Sequence, residues 1–216
     1  MVDIAPECEN ADDFIANASK LCTVSLAHSE ADYDEVKASF QKGITHVTHL
    51  FNAMTGCTHR MPGAVGAVFD DGSVQAEIIC DGLHIHPAVL RMAFRLLGED
   101  RTIIVSDSMR AADLPDGLSE LGGQQVYVKN GQARLSDGTL AGSTTNVYQE
   151  IKNLLQFGIP LRQIIKSATI NPAVAIGMRD TIGSIEPGKD ADLVVLDRAF
   201  NIKMVIAKGN IKINGL

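Results

Sequence analysis

The chain repeats a unit in which a short, almost wholly apolar run is followed by a segment with helical spacing. Four runs have this form: 21–28 (LCTVSLAH), 44–51 (ITHVTHLF), 74–82 (VQAEIICDG) and 101–107 (RTIIVSD). Strands buried on both faces are continuous apolar runs, and their alternation with helices requires parallel pairing with right-handed crossovers. The sequence therefore predicts an α/β fold built on a parallel sheet.

Helical segments follow these runs. In the first, Ser29 stands in an N-cap position with Asp32 three residues later, and Gly43 is placed to end the helix. The further helical segments are 87–98, 147–158 and 161–177. The last of these, 161–177, is helical up to the Asn171-Pro172 interruption.

The pattern changes after residue 107. Residues 124–135 (QQVYVKNGQARL) indicate a hairpin around Asn130-Gly131, a pair that tolerates positive φ. Towards the end, short apolar segments alternate with glycine turns, which is typical of a small β domain. We therefore divide the chain into a βα domain, 1–177, and a small β portion, 178–216.

Composition excludes several functional classes. The net charge is −7 and lysine and arginine do not cluster, so neither a nucleic acid nor an anionic membrane is an expected partner. The four cysteines contain no C-x-x-C pair, which argues against a zinc ribbon or a disulfide framework. With no signal-like start and no long apolar run, we expect a cytoplasmic protein.

Polar residues collect where the apolar runs end. His28, His49 and Asp107 each close a predicted strand, and the segment 81–86 supplies His84 and His86. The carboxyl ends of parallel strands form the functional edge of such sheets. Two imidazoles suit a divalent metal, although the third ligand is not obvious, and Asp107 suits a general base. Each residue alone would instead indicate a core histidine or an N-cap, but together they favour metal-assisted hydrolysis.

The run 44–51 contains two histidines, and strand geometry separates them. Side chains alternate between faces, so Thr45, Val47 and His49 should share one side and His46 the other. His49 is nearer the carboxyl end, so we assign it to the site and His46 to packing or to support of the site.

A family resemblance becomes specific at this point. The segments AHSEA, THLFNAM, MPGAVGAVFDD, CDGLHI, IVSDSM and GTLAGST resemble the ordered motifs of the N-acetylglucosamine-6-phosphate deacetylase family, within the amidohydrolase superfamily. SATINPAVAIG and GSIEPGKDADLVVLD resemble the carboxyl-terminal signature of that superfamily. The resemblance implies about the second half of a TIM-type (β/α)₈ barrel with the remnant of a small β-sandwich.

The resemblance also implies roles. The expected reaction is hydrolysis of N-acetylglucosamine 6-phosphate to glucosamine 6-phosphate and acetate, with zinc, iron or another divalent ion held by His28 and His49. Asp107 would activate the water and later protonate the amine, and His84 would hold the acetamide. Asn52, Ala53 and Arg60 would contact the phosphate, and Arg60 can come from the neighbouring subunit. The substrate would also be lined by Leu140, Ala141, Gly142 and Ser143, and Ser143 is placed to cap the next helix as well.

The chain also departs from the family. The segment VDIAPE resembles the fourth barrel strand, so the preceding glutamate that supplies the first metal ligand is missing. A half-barrel exposes strand edges, from which we expect a homodimer or another homo-oligomer. We also expect weak metal binding and no appreciable turnover by the isolated chain. The alternatives are hydrolysis of another amide, or a non-catalytic half-barrel that binds a sugar phosphate; His46, His59 and His86 receive no catalytic role.

Overall fold

A computed structural model describes residues 1–215, and its largest sheet has five parallel strands. The strands lie in chain order, each hydrogen-bonded to the next, which confirms the predicted parallel α/β arrangement. Each strand is shorter than its apolar run, and every run continues beyond the carboxyl end of its strand. Their bounds are Val2–Ile4 (β1), Val24–Leu26 (β2), Ile44–Val47 (β3), Gln75–Ile78 (β4) and Thr102–Ile104 (β5).

Seven helices lie in the described residues: Ala11–Ala18 (α1), Tyr33–Lys42 (α2), Gly63–Asp70 (α3), Pro87–Arg101 (α4), Val147–Gln156 (α5), Leu161–Ala168 (α6) and Ile170–Ala175 (α7). Helix α2 shows why they form: Val36 and Phe40 are buried one turn apart, and Gly43 ends the helix at φ 133°. Its N-cap is Asp32, whose side chain accepts from the Glu35 N–H. The N-cap prediction for Ser29 is wrong, since its hydroxyl donates to Glu7 at 2.8 Å.

Two other helix boundaries differ from the sequence prediction. Helix α4 continues beyond Gly98 through a kink at which that glycine has φ 74°. The long segment 161–177 breaks at Thr169, not at Asn171-Pro172. Pro172 is tolerated in the first turn of α7, where its missing N–H would have no intrahelical partner.

Two three-stranded antiparallel sheets accompany the parallel sheet. One contains Gly117–Leu121 (β6), Gln124–Lys129 (β7) and Gln132–Arg134 (β8). Asn130 and Gly131 join β7 to β8 at φ 51° and 70°, as the predicted hairpin requires. The other sheet contains Leu193–Leu196 (β9), Ile202–Ala207 (β10) and Asn210–Asn214 (β11), and lies within the segment 178–216 that we assign to the small β portion.

Apolar side chains of the parallel strands pack in the interior of the protein. Leu26, Val47 and Ile78 are 0 % exposed and pack in the main hydrophobic core. Each such side chain contributes about 1.5–3 kcal/mol through burial. Thr45, by contrast, is exposed, and the strict alternation on which the grouping of Thr45 with Val47 and His49 depended is interrupted beside it. The register between β2 and β3 shifts at this point, which leaves Thr45 without a partner and breaks the alternation.

Candidate active site

The side chains of His28 and His49 meet just beyond the carboxyl ends of β2 and β3. Their Nε2 atoms are 2.9 Å apart, and the rings stack with centroids 4.8 Å apart. His49 is buried, whereas His28 reaches the surface. Both have positive φ, 48° and 31° respectively. Non-glycine residues adopt this conformation at a cost of about 1–3 kcal/mol, and such strain concentrates at functional sites.

This pair fits two positions around a divalent cation. Two nitrogen ligands of a tetrahedral zinc ion, each about 2.05 Å from it, lie about 3.3 Å apart. The observed 2.9 Å separation of the two Nε2 atoms is close to that value. Among residues 1–215, no group of three His, Cys, Asp or Glu side chains is arranged to hold an ion. A catalytic zinc usually has three protein ligands, and the His28–His49 pair brings together two nitrogen atoms of a kind that could serve as ligands.

His46 engages a neighbouring strand rather than the pair. Its Nε2 lies 3.0 Å from Oε1 of Glu77 on β4, and its ring is 1 % exposed. His59 and His86 are exposed, and the His86 ring caps α4 by accepting from the Ala88 N–H.

His84 is fixed by Asp81 in the loop after β4. The His84 Nδ1 lies 2.7 Å from Oδ2 of Asp81, and both side chains are 7 % exposed. The other carboxylate oxygen accepts from the N–H groups of Leu83 and His84. Burial raises the pKa of Asp81, but the hydrogen bonds from His84 and Leu83 outweigh it, so the pKa is lowered overall. With Nδ1 engaged, Nε2 is the ring nitrogen of His84 that remains for a further hydrogen bond.

Asp107 lies beyond the end of β5, exposed and with φ 46°. Since neighbouring strands are about 4.8 Å apart, the ends of β3 and β5 are about 10 Å apart along the sheet edge.

The segment Leu140–Ser143 lies against Asp107. The Ser143 N–H donates to the Asp107 carbonyl at 2.8 Å, and the Ser143 hydroxyl donates to the Ser106 carbonyl. Gly142 has φ 64°, and a Cβ there would lie 3.3 Å from the Asp107 carbonyl oxygen. The prediction that Ser143 caps the next helix is wrong, because Asn146 caps α5.

The residues predicted to contact phosphate lie in the loops after β3. Asn52 uses its amide to donate to the carbonyls of His49 and Leu50, so it shapes the turn after His49. Ala53 is exposed with φ 50°. Arg60 is exposed and lines a separate cleft of ≈ 690 Å³ together with Tyr33 and Thr55 and the residues around them.

The sequence interpretation missed two carboxyl groups next to this edge of the sheet. Glu7 accepts from the Ser29 hydroxyl and from the Glu30 N–H, and so fixes the turn that follows His28. The position of Glu7 shortly after β1 could have identified it from the sequence as a residue near this edge. Glu150 is 0 % exposed on α5, and its helical position gave no indication of burial.

Comparison with known proteins identifies the family. The model of the amidohydrolase family matches residues 5–212. The chain belongs to the amidohydrolase family. This membership and the solved relatives confirm the predicted (β/α) barrel class, of which the five parallel strands form part.

Individual relatives of this amidohydrolase confirm the resemblance to deacetylases. N-acetylglucosamine-6-phosphate deacetylase of Bacillus subtilis is 36 % identical over 213 residues, covering 98 % of this chain and 54 % of the relative. N-acetylgalactosamine-6-phosphate deacetylase of Escherichia coli O157:H7 is 34 % identical, with 98 % and 56 % covered. A mutant N-acetyl-D-glucosamine-6-phosphate deacetylase of Mycobacterium smegmatis, solved with N-acetyl-D-glucosamine-6-phosphate, superposes with a TM-score of 0.93 at 34 % identity, covering 99 % and 57 %. The chain spans about half the length of these relatives.

Proposed function

We propose that this amidohydrolase chain carries the ligand pair, the base and the substrate loops of a metal-dependent deacetylase acting on N-acetylglucosamine 6-phosphate. The observation that carries the proposal is the assembly of His28, His49, His84 and Asp107 at one edge of one parallel sheet. The names of its relatives support the substrate. The products would be glucosamine 6-phosphate and acetate.

His28 and His49 would hold the divalent ion, with zinc as the first candidate and a further ligand from outside the described residues. A cation at this pair would supply a Lewis acid that polarises the acetamide carbonyl and lowers the pKa of water. Nothing in the donor set distinguishes zinc from iron, since imidazole suits both.

Asp107 would act first as the general base and then as the general acid. Its carboxylate takes a proton from the attacking water as the new C–O bond forms at the acetamide carbon. The C–N bond then breaks, and Asp107 returns the proton to the amine nitrogen. His84, oriented by Asp81, would contact the carbonyl oxygen through Nε2. Asn52, Ala53, Arg60 and the segment Leu140–Ser143 would bind the sugar phosphate, which a single arginine and backbone N–H groups can do without a basic surface.

A deacetylation assay tests this function. The zinc-loaded chain, extended by the amino-terminal half of the Bacillus subtilis relative, should release acetate from N-acetylglucosamine 6-phosphate. Asp107→Asn should lower kcat by about 10²–10⁴-fold without preventing substrate binding. Arg60→Ala should raise KM, whereas Arg95→Ala, on the exposed face of α4, should leave KM unchanged. An Asp107→Asn variant with full activity would refute the proposed base, and we expect little turnover from the chain alone.

A second candidate substrate is N-acetylgalactosamine 6-phosphate, which the name of the Escherichia coli relative favours. The two sugars differ at one hydroxyl, so the ratio of their kcat/KM values decides between them. Binding of either sugar phosphate without acetate release by the extended, zinc-loaded protein would favour the non-catalytic alternative.

We further propose that the chain acts as a homodimer in the cytoplasm. Among residues 1–215, β1 and β5 are the edges of the parallel sheet, and unpaired edges favour association. The four cysteines are free, as a reducing compartment requires. Within those residues, the helices are too short or too polar to span a bilayer. Sedimentation as a monomer at micromolar concentration would refute the dimer.

A further inference from the structure

Glu150 is a carboxyl group that the proposed chemistry does not use and that the fold buries completely. It lies on α5, is 0 % exposed, and neither carboxyl oxygen has a hydrogen-bond partner within the described residues. Burying an ionised carboxylate without a counter-ion is so costly that such a group keeps its proton.

The surroundings of Glu150 reinforce this state. Burial is the largest influence and raises its pKa, the nearby Cys80 N–H lowers it, and the carboxylates of Asp81 and Asp107 raise it, which brings the pKa to about 9. The Cys80 thiol is buried and its pKa is raised as well, mainly by desolvation.

Basic residues on the helices around α5 are directed elsewhere. Arg162 and Lys166 of α6 pair with Glu99 on α4, and Lys166 also pairs with Asp100. Arg91 of α4 donates to the Phe157 carbonyl at the end of α5. Lys152, on α5 itself, lies over the Tyr148 ring. The groups that act on Glu150 are therefore the carboxylates of Asp81 and Asp107, beside the Cys80 thiol.

Helix α5 is attached to the end of β4 at the same place. One turn after Glu150, the Asn153 amide donates to the carbonyls of Cys80 and Asp81 at 3.5 and 3.4 Å. Asp81 in turn holds His84. The contacts therefore run from α5, through the backbone at 80–81, to the His84 ring.

We propose that Glu150 is a positioning residue that supports the end of β4 and thereby holds the Asp81–His84 pair in place. Its ionisation would add a third negative charge beside Asp81 and Asp107 and weaken that support. The proposal rests on the function proposed above, because the position of His84 matters for catalysis only if the site binds an acetamide.

Nuclear magnetic resonance of three proteins tests the proposal without turnover. The resonances of Leu83 and His84 are followed from pH 6 to pH 10 in the wild type, Glu150→Gln and Glu150→Leu. Glutamine keeps a carbonyl beside the Cys80 N–H but cannot ionise, whereas leucine fills the space without either property. We expect an inflection near pH 9 in the wild type that is absent from the glutamine variant. At pH 7 the leucine variant should shift both resonances and the glutamine variant should not, with α2 as the internal reference.

Two results would overturn the proposal: an inflection that persists in Glu150→Gln, or Leu83 and His84 resonances unchanged in Glu150→Leu. Should the leucine variant not fold, carboxyl ¹³C titration of the wild type decides, and a Glu150 midpoint near its ordinary value of 4.5 overturns it. Because these measurements need no substrate, they remain decisive if the deacetylation assay fails. In an active enzyme, we also expect kcat to fall near pH 9 in the wild type but not in Glu150→Gln.

Discussion

Replacing Glu150 by glutamine should make the free energy of unfolding less sensitive to rising pH. The pKa of Glu150 is raised from 4.5 to about 9 by folding. A group whose pKa is higher in the folded state makes its full contribution to the free energy of unfolding at pH values below its unfolded pKa. This contribution is lost as the pH rises towards the folded pKa. In this window the folded protein keeps one proton that the unfolded chain has released, so stability falls by about 1.4 kcal/mol per pH unit. From pH 5.5 to 8.0 the loss from this one group is about 3.4 kcal/mol.

Urea denaturation at several pH values measures this loss. For an m-value of about 2 kcal/mol/M, the wild-type midpoint should fall by about 1.7 M more than the Glu150→Gln midpoint between pH 5.5 and 8.0. Other titrating groups are shared by both proteins and cancel in the difference. Parallel pH dependences would refute the reasoning, because they would mean that Glu150 is already ionised in the folded protein at pH 5.5.

Two further predictions concern the framework of the site. Arg101→Met should lower the free energy of unfolding by about 3 kcal/mol, because the guanidinium donates to four backbone carbonyls. The control Arg95→Met should change the urea midpoint little. Equal urea midpoints for these two variants would contradict the role of Arg101. Gly82→Ala should lower the free energy of unfolding by about 2 kcal/mol, since Gly82 has φ +80° and the added Cβ would lie 2.9 Å from Phe157. The control is Gly72→Ala, whose added Cβ would meet nothing within 4 Å. Thermal unfolding with equal effects at both glycines would reject that explanation.

The main features of the fold could be predicted because they depend on local pattern. Apolar runs located the central strands, and the polar residues closing them located the edge at which His28 and His49 meet. The Asn130-Gly131 turn was equally predictable, since few residue pairs accept positive φ twice. Helices α1 and α3 were missed because they are short, and α3 is rich in glycine and alanine, which give little periodic signal.

The remaining features depend on tertiary contacts. The shift at Thr45 comes from pairing between β2 and β3, which a strict alternation of side chains does not anticipate. Glu150 has the composition of an ordinary helix-surface residue, and it is buried because α5 packs against the end of β4. The N-cap of α5 was predicted at Ser143 but lies at Asn146. Ser143 instead donates hydrogen bonds to the carbonyls of Ser106 and Asp107, which are distant in the sequence.

The most direct test of the account is zinc binding by the His28–His49 pair, measured by isothermal titration calorimetry on the chain itself. We predict one weak site that releases protons on binding, since the ligating nitrogens must be unprotonated. His49→Ala should lower the zinc affinity at least about tenfold, and the exposed His59→Ala should not change it. Equal zinc affinity in the wild type and His49→Ala would contradict the assignment of this pair as the metal ligands.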